Sequence, residues 1–208
     1  AGFGTGELVS AIDAMGSGRR YASLVAAQLD KALQDDAAAE ALASLDAVLI
    51  GGGPMPAGVA ERASAASISV VLTYGMSETA GGCVYDGVPL AGVRVEVDTG
   101  GRISLGGVTV AAGYRNPVTP DPFVRPGWFR TDDIGSIDEA GTLTVLGRAD
   151  DAISTGGLTV LPGLVEAAVA THPAVADCAV FGVADERLGQ RVVAAVVLER
   201  GATLTLAE

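Results

Sequence analysis

Residues 47–79, AVLIGGGPMPAGVAERASAASISVVLTYGMSET, contain the pattern that decides the fold. The apolar run Ala47–Ile50 stops at three glycines and Pro54, a helix-compatible stretch covers residues 56–66, and a second apolar run covers residues 68–72. An apolar run, a glycine loop, a helix and another apolar run are typical of a β-α-β unit. The segment therefore predicts a parallel sheet, and ligands of open α/β sheets gather at the loops that follow such strands.

The residues before this unit predict two helices. From Arg20 to Leu33 the apolar residues recur at three- and four-residue spacing, which predicts one amphipathic helix. A shorter helix is predicted over residues 37–45, directly before the first apolar run.

The residues after Gly82 predict a different architecture. Short alternating runs bounded by Gly, Pro or Asp cover residues 93–97, 102–105, 108–110 and 143–146. This spacing predicts a small antiparallel sheet or barrel, with a hairpin turn at residues 138–141. The alternation ends at residues 147–151, and a second, α+β unit is predicted from a helix over Leu161–Thr171 and strands over residues 175–183 and 191–198.

The composition is that of a folded, acidic protein. Of 208 residues, 49% are hydrophobic and 18% charged, which excludes disorder as the main state. A net charge of −12 without any basic run argues against nucleic acid and anionic membranes as partners. No apolar run approaches the roughly 18 residues of a membrane span. Cys83 and Cys178 form no CxxC motif, so we predict no zinc site or disulfide scaffold and expect a reducing cytoplasm.

Few side chains could carry covalent catalysis. Lys31 is the single lysine and His172 the single histidine. Without a GxSxG motif, a Ser-His-Asp hydrolase that uses His172 as its base is disfavoured. Lys31 falls on a predicted amphipathic helix, where a solvated surface residue is a simpler interpretation than a Schiff-base lysine.

Two glycine-containing loops could bind a nucleotide. The segment Tyr74–Thr79 combines an aromatic ring that can stack on a purine, hydroxyls that can donate to phosphate oxygens and a carboxylate that can hold Mg²⁺. The glycines at 51–53 could offer flat backbone to a base or phosphate. The structural alternatives are a polar turn capped by Ser77 and a tight turn at the glycines.

Four ordered motifs extend the prediction of nucleotide binding to nearly the whole chain. They are GGGP at 51–54, YGMSE at 74–78, FRTDD at 129–133 and GRADDAISTGG at 147–157. In order and spacing they resemble the adenylate-forming superfamily of acyl-CoA synthetases, luciferases and peptide-synthetase adenylation domains. The resemblance implies an α/β adenylate-forming enzyme fold: residues 1–149 would be the C-terminal part of the large AMP-binding domain, with a parallel α/β sheet and a small β-barrel. Residues 150–208 would begin the small α+β C-terminal domain.

The resemblance also implies roles for matching residues. Those implied to bind the nucleotide are Gly52, Gly53, Pro54, Tyr74, Gly75, Asp133 and Arg148. Tyr74 would stack on adenine, while Asp133 and Arg148 would bind the ribose hydroxyls. Ser77 would contact the α-phosphate, and Glu78 would hold Mg²⁺; these two are the implied catalytic residues. For Asp133 a turn cap, and for Arg148 a surface ion pair, are the alternatives.

Further positions are implied for the acid and the thiol. These are Thr79, Gly81 and Gly82 beside an aromatic acid, Asp150 as the hinge between domains, and Gly156 and Gly157 lining the tunnel for the pantetheine of coenzyme A. In this family a carboxylate attacks the α-phosphorus of ATP, and a thiol then displaces AMP from the acyl-adenylate. The implied cofactors and substrates are therefore ATP, Mg²⁺, coenzyme A and a small aromatic carboxylic acid.

Within the superfamily, residues 77–93 and 155–183 resemble the o-succinylbenzoate–CoA ligases of menaquinone biosynthesis. Another small aryl- or acyl-CoA synthetase, a non-catalytic nucleotide-binding module and a structural fragment whose glycines only make turns stay open as alternatives. A homo-oligomer also stays open.

The sequence departs from the family pattern at several places. Asp132 stands where the RTGD motif has glycine, and Ser154 stands where many relatives have lysine. Lys31 matches neither the lysine of the family's phosphate loop nor the adenylation lysine near the family's C-terminus. We therefore expect a piece of a longer ligase that does not form the adenylate unaided.

Overall fold

The computed structural model describes residues 2–116, 118–123 and 125–205. The chain divides into two compact units. The first comprises Ala1–Arg94 and Gly106–Pro117, and the second comprises Val95–Leu105 and Val118–Glu208. The domain boundary predicted between residues 149 and 150 lies inside the second unit and stays a prediction.

The first unit contains a five-stranded mixed sheet with helices packed against it. Its elements are α1 (Thr5–Asp13), β1 (Tyr21–Leu24), α2 (Ala26–Ala32), α3 (Asp36–Ala43), β2 (Ala47–Ile50), α4 (Ala57–Ala65), β3 (Val70–Met76), β4 (Gly81–Tyr85) and β5 (Val88–Pro89). The strands lie in the order β1-β2-β3-β4-β5. β1, β2 and β3 are parallel, whereas β4 and β5 continue the sheet in antiparallel fashion. The β-α-β unit predicted from residues 47–79 is confirmed by β2, α4 and β3.

The core of this unit lies between the parallel strands and the helices. Leu29 of α2, Leu42 of α3 and Val48 of β2 are fully buried there, together with Ile12 of α1. Burying side chains of this size stabilises the fold by roughly 1.5–3 kcal/mol each. The central strand β2, which carries the glycine loop, is therefore held in place by packing along most of its length.

The single helix predicted from Arg20 to Leu33 is wrong. Tyr21–Leu24 form the parallel edge strand β1, in register with β2, and the helix begins only after Val25, whose backbone is extended. The backbone N–H of Arg20 donates to Asp46 Oδ2 at 2.7 Å. Pairing with the buried strand β2 outweighs local helical spacing. Leu24 is buried from the strand and Leu29 from the helix, whereas Tyr21 and Val25 are exposed.

A second sheet contains β6 (Val93–Val97), β7 (Arg102–Gly107), β8 (Trp128–Ile137) and β9 (Leu143–Arg148), in that order. The predicted hairpin turn is confirmed between the antiparallel strands β8 and β9, where Asp138 Oδ1 accepts from the N–H groups of Ala140 and Thr142. The strand predicted over residues 108–110 is wrong. Those residues form a turn that the N–H of Val110 closes onto the carbonyl of Gly107, at 3.2 Å.

The remaining elements form a third sheet with one helix. They are β10 (Ile153–Thr155), β11 (Leu158–Val160), α5 (Pro162–Val169), β12 (Val175–Asp185) and β13 (Gly189–Leu198), and the strand order is β11-β10-β13-β12. This confirms the predicted α+β unit. No helix among the described residues has the length and hydropathy needed to cross a membrane.

Candidate functional site

A groove opens at the carboxyl ends of the parallel strands in the first unit. Its volume is 280 Å³. The residues that line it come from β1, α2, β3, β4 and the loop after β2: Ser23, Leu24, Val25, Gln28, Gly51, Gly52, Thr73, Gly75, Gly81 and Gly82. This is the edge at which open α/β sheets bind ligands, as the sequence predicts.

The three glycines of the loop after β2 have different surroundings. At Gly51 a Cβ would lie 2.5 Å from Thr73 Oγ1 and 3.3 Å from the Thr73 carbonyl oxygen, so a side chain there would require Thr73 to shift. Gly52 has a φ of +80°, which favours glycine, and it faces Val25 across the groove. Gly53 has open space around its Cα and is exposed, as is Pro54. The predicted approach of a base or phosphate to the backbone of these glycines stays a prediction.

The segment Tyr74–Thr79 continues directly from the sheet. Tyr74 is half-buried in β3, and the strand extends to Met76 before a single 3₁₀ turn over Ser77–Thr79. The exposed Ser77 and the half-buried Glu78 therefore lie on a short turn between two paired strands, β3 and β4. A turn anchored by strands on both sides presents its side chains in a fixed direction.

Gly75 has a structural reason to be glycine. A Cβ on Gly75 would lie 2.8 Å from both the carbonyl carbon of Gly81 and the Cα of Gly82, and closer still to the carbonyl oxygen of Gly81. All of these atoms are backbone, so no rotamer change could relieve the contact. The predicted contact of Gly75 with nucleotide stays a prediction, beside this requirement of strand pairing.

Thr79 holds the turn together from inside. It is 1% exposed, and its hydroxyl accepts from the N–H of Met76 at 3.0 Å. The same hydroxyl has acceptors in the carbonyls of Gly81 at 2.8 Å and Met76 at 3.1 Å. Gly81 and Gly82 line the groove, whereas Thr79 is buried and is not among the lining residues. The predicted contact of all three with an aromatic acid stays a prediction.

The Glu78 carboxylate is held by a tyrosine distant in sequence. The hydroxyl of Tyr114 donates to Glu78 Oε1 at 2.6 Å, and the backbone N–H of Ala111 donates to the Glu78 carbonyl at 2.8 Å. Among the described residues no three His, Cys, Asp or Glu side chains form a group that could bind a metal. A lone carboxylate does not fit zinc, but it fits Mg²⁺, which keeps several waters and completes its octahedron with substrate phosphates.

The second unit brings Asp133, Arg148 and Asp150 together. Asp133 and Arg148 are paired residues of β8 and β9, and Arg148 Nη1 lies 3.8 Å from Asp133 Oδ1. Arg148 also donates in bidentate fashion to Asp150, from Nε to Oδ1 at 2.8 Å and from Nη2 to Oδ2 at 2.6 Å. Hydrogen bonding to Arg148 holds the pKa of Asp150 below its ordinary value of 3.8. The predicted ribose-binding arginine and the predicted hinge residue are therefore directly bonded to each other.

The unusual Asp132 of the FRTDD motif has its own partner. Its Oδ1 lies 3.1 Å from Arg102 Nη1 on the neighbouring strand β7. The hydroxyl of Thr131, which is 2% exposed, donates to the carbonyl of Ile103 and accepts from the N–H of Asp133. Side-chain bonds thus fix the backbone on both sides of Asp132, and Arg102 compensates the additional charge that this chain carries there.

Gly156 and Gly157 form the two-residue turn between β10 and β11. Their φ angles of +57° and +85° are those of the left-handed region, which suits a tight two-residue hairpin. A Cβ on Gly156 would press on Leu188, whereas Gly157 has nothing within 4 Å. Their predicted role in a coenzyme A tunnel stays a prediction.

Sequence reasoning missed three residues that the structure brings to these sites. Ser23 and Gln28 line the groove, but they were hidden by the single-helix prediction; a strand-loop-helix interpretation of residues 21–32 would have found them. Tyr114 lies 36 residues from Glu78. No local spacing rule connects positions so far apart.

Known proteins match both the sequence and the fold. Residues 164–208 match the family model described as AMP-binding enzyme C-terminal domain. A probable 2-succinylbenzoate–CoA ligase of Mycobacterium tuberculosis (strain ATCC 25618 / H37Rv) is 69% identical over 203 residues, which are 97% of this chain and 53% of that protein. The 2-succinylbenzoate–CoA ligase of Geobacillus sp. (strain WCH70) is 36% identical over 206 residues, covering 88% of this chain and 42% of that protein. The chain thus spans about half the length of the curated relatives it matches.

Two solved structures share the fold. The o-succinylbenzoate CoA synthetase of Bacillus subtilis in complex with its acyl-adenylate intermediate has a TM-score of 0.78 and 26% identity, and the match covers 97% of this chain and 45% of that one. ATP-bound MatB of Rhodopseudomonas palustris has a TM-score of 0.82 and 27% identity, over 98% of this chain and 44% of that one. The motifs, the relatives and the shared architecture agree: the chain has the fold of the AMP-binding, adenylate-forming enzymes and is similar to them in sequence.

Proposed function

We propose that this chain supplies nucleotide-, acid- and thiol-binding residues of an ATP-dependent acid–CoA ligase, and that the acid is 2-succinylbenzoate of menaquinone biosynthesis. The observation that carries the proposal is the groove at the carboxyl edge of the sheet, whose glycine wall ends at the turn bearing Ser77 and Glu78. The 69% identity to a probable 2-succinylbenzoate–CoA ligase supports the choice of acid.

The reaction has two steps that share one site. In the first, a carboxylate oxygen of the acid attacks the α-phosphorus of ATP, and pyrophosphate leaves with the electron pair of the broken P–O bond. In the second, the thiol of coenzyme A attacks the acyl carbon, loses its proton, and AMP leaves. Both steps depend on positioning and on neutralising phosphate charge, so neither needs a nucleophilic side chain of the protein.

We assign nucleotide binding to the residues that the sequence motifs single out. Tyr74 stacks on adenine beside the backbone of Gly52, Gly53 and Pro54, while Asp133 and Arg148 bind the ribose hydroxyls. Ser77 donates its hydroxyl to an α-phosphate oxygen. Glu78 is the residue that would hold Mg²⁺, which when bound neutralises phosphate charge. The exposed hydroxyl at Ser77 and the restrained carboxylate at Glu78 support these roles.

The groove is suited to a flat acid. Gly51, Gly52 and Gly82 offer backbone walls that an aromatic ring can approach closely. The side-chain carbonyl of Gln28 accepts from the N–H of Val25 at 3.0 Å, which leaves its NH₂ group available to donate to a substrate oxygen. We therefore assign the acid to this groove, with Gln28 and Ser23 as polar contacts missing from the sequence-based set. Thr79 supports the groove through its hydrogen bond to the carbonyl of the lining residue Gly81.

The other assignments concern the second step. Asp150 acts as the hinge, and Gly156 and Gly157 border the pantetheine of coenzyme A. The space around Gly157 is open. A bulky side chain at this position would enter that space and obstruct a narrow tunnel, which supports the assignment of Gly157 to the pantetheine site. A cytoplasmic location and the domain boundary after residue 149 belong to the same proposal.

A segment-swap chimera tests the proposed function. This chain replaces the matched 203-residue segment of the M. tuberculosis relative, and CoA thioesters are measured by mass spectrometry with 2-succinylbenzoate, benzoate and malonate. We expect thioester from 2-succinylbenzoate, a large loss in E78Q, and no loss in E61Q, which alters an exposed acid of α4. A folded chimera that makes no thioester would contradict the ligase role, and equal use of benzoate or malonate would contradict the choice of acid.

A further inference from the structure

The segment that follows β7 is bonded to Glu78 at two points. Ala111 donates its N–H to the Glu78 carbonyl at 2.8 Å, and Tyr114 donates its hydroxyl to Glu78 Oε1 at 2.6 Å. The turn that Val110 closes onto Gly107 precedes these contacts. All of these residues belong to the first unit. Backbone and side chain of Glu78 are therefore both restrained by one short stretch of chain.

The tyrosine bond has a geometric consequence for the carboxylate. A glutamate side chain on a short turn would otherwise rotate about three torsions, and a bond to one oxygen restricts that rotation. At 2.6 Å, between a phenolic hydroxyl and a carboxylate, the bond belongs to the short, charge-assisted class. With Oε1 engaged by Tyr114, the lone pairs of Oε2 stay available for a further ligand.

We propose that Tyr114 is a positioning residue for the metal-binding carboxylate of Glu78. This inference rests on the proposed function, because it requires that Glu78 hold Mg²⁺ during adenylate formation. In this role Tyr114 acts through Glu78 and not directly on the metal or the substrate. It orients Glu78 so that one carboxylate oxygen is presented to the cation without the entropy loss of ordering the side chain on binding.

Metal binding by the chimera tests the proposal without relying on turnover. Mn²⁺ replaces Mg²⁺, and an ATP analogue with a methylene group between the α- and β-phosphorus prevents the reaction. The electron paramagnetic resonance signal of free Mn²⁺ falls as the ion binds, and this fall gives the dissociation constant of Mn²⁺. We expect Y114F to raise that constant about three- to ten-fold, which corresponds to losing the net contribution of one ordinary hydrogen bond. Binding of the nucleotide in excess EDTA should not change. The matched control is Y21F, which removes a hydroxyl from the exposed β1 tyrosine.

A second variant separates positioning from general damage. In E78D the shortened carboxylate can no longer meet the Tyr114 hydroxyl, so adding Y114F to E78D should weaken Mn²⁺ binding no further. Unchanged Mn²⁺ affinity in Y114F, or an additive loss in the double variant, would overturn the positioning role. If E78Q also bound Mn²⁺ normally, or the parent chimera made no thioester, the proposed function itself would fail, which is a distinguishable result.

Discussion

Replacing Gly75 by alanine should disrupt the pairing of β3 with β4. Gly75 faces Gly82 in the antiparallel register, next to an irregularity between Tyr74 and Gly75. The added Cβ would lie 2.8 Å from two backbone carbons, a separation below the 3.0 Å that real Cβ atoms keep. Because neither strand can relieve the overlap by a rotamer change, the strands must move apart.

The expected cost follows from that overlap. Overpacking a well-filled site costs typically 1–3 kcal/mol, and a purely backbone clash belongs at the upper end, at about 3 kcal/mol. For a protein of this size each kcal/mol lowers the melting temperature by about 2–4 °C, so G75A should melt about 6–12 °C below the parent. The shift is measured by circular dichroism on purified protein, for the transition that includes the first unit.

The matched control is G53A, the same chemical change in the neighbouring loop. A Cβ on Gly53 meets nothing within 4 Å, and its φ lies outside the left-handed region. Alanine there should leave stability unchanged or raise it slightly, by up to about 1 kcal/mol through the unfolded chain. If G75A melted within about 1 °C of G53A, the argument that strand pairing requires glycine at this position would be refuted.

Two further predictions concern hydrogen-bonded carboxylates. Asp35 caps α3 by accepting from the N–H groups of Ala37 and Ala38, so D35A should lower the melting temperature, whereas D35N should not. Bonds to Thr5 and Ala38 lower the pKa of Asp35 below 3.8. The stabilisation by its carboxylate is therefore present above that pH and is lost as the pH falls through the lower folded-state pKa. If the parent and D35N lost the same amount of stability on acidification, this prediction would be contradicted. The pKa of Asp150 is lowered chiefly by its hydrogen bond to Arg148, so R148Q should return it toward 3.8 in a carboxyl carbon NMR titration, and an unchanged titration would show that another group controls it.

Local signals predicted the centre of the first sheet well. Between residues 47 and 79 each apolar run is bounded by glycine, proline or a polar turn, so strand and loop limits are visible in the sequence. The strand β1 was not predictable in this way. Residues 21–24 become a strand because they pair with β2, and that partner begins 26 residues further along the chain.

In the candidate site, too, local features could be predicted from the sequence, whereas contacts between distant residues could not. The turn carrying Ser77 and Glu78 follows a buried strand, so its position could be predicted. The bond between Glu78 and Tyr114 and the ion pair of Asp132 with Arg102 join residues that no periodicity relates. Gly75 is instructive in another way: glycine was expected there for a ligand, but the carbonyl of Gly81 already requires it.

We propose above that the residues of the groove and of the Ser77–Thr79 turn belong to a ligase that activates a carboxylate as its adenylate. The most direct test supplies the chimera with 2-succinylbenzoate labelled with ¹⁸O in its carboxylates, together with ATP, Mg²⁺ and coenzyme A, and measures the products by mass spectrometry. Attack of the carboxylate on the α-phosphorus leaves a labelled oxygen bridging acyl and phosphate, and the thiol then releases it with AMP. We predict AMP carrying one ¹⁸O atom and an equal amount of acyl-CoA. Unlabelled AMP, or ADP and phosphate as products beside the thioester, would contradict the account.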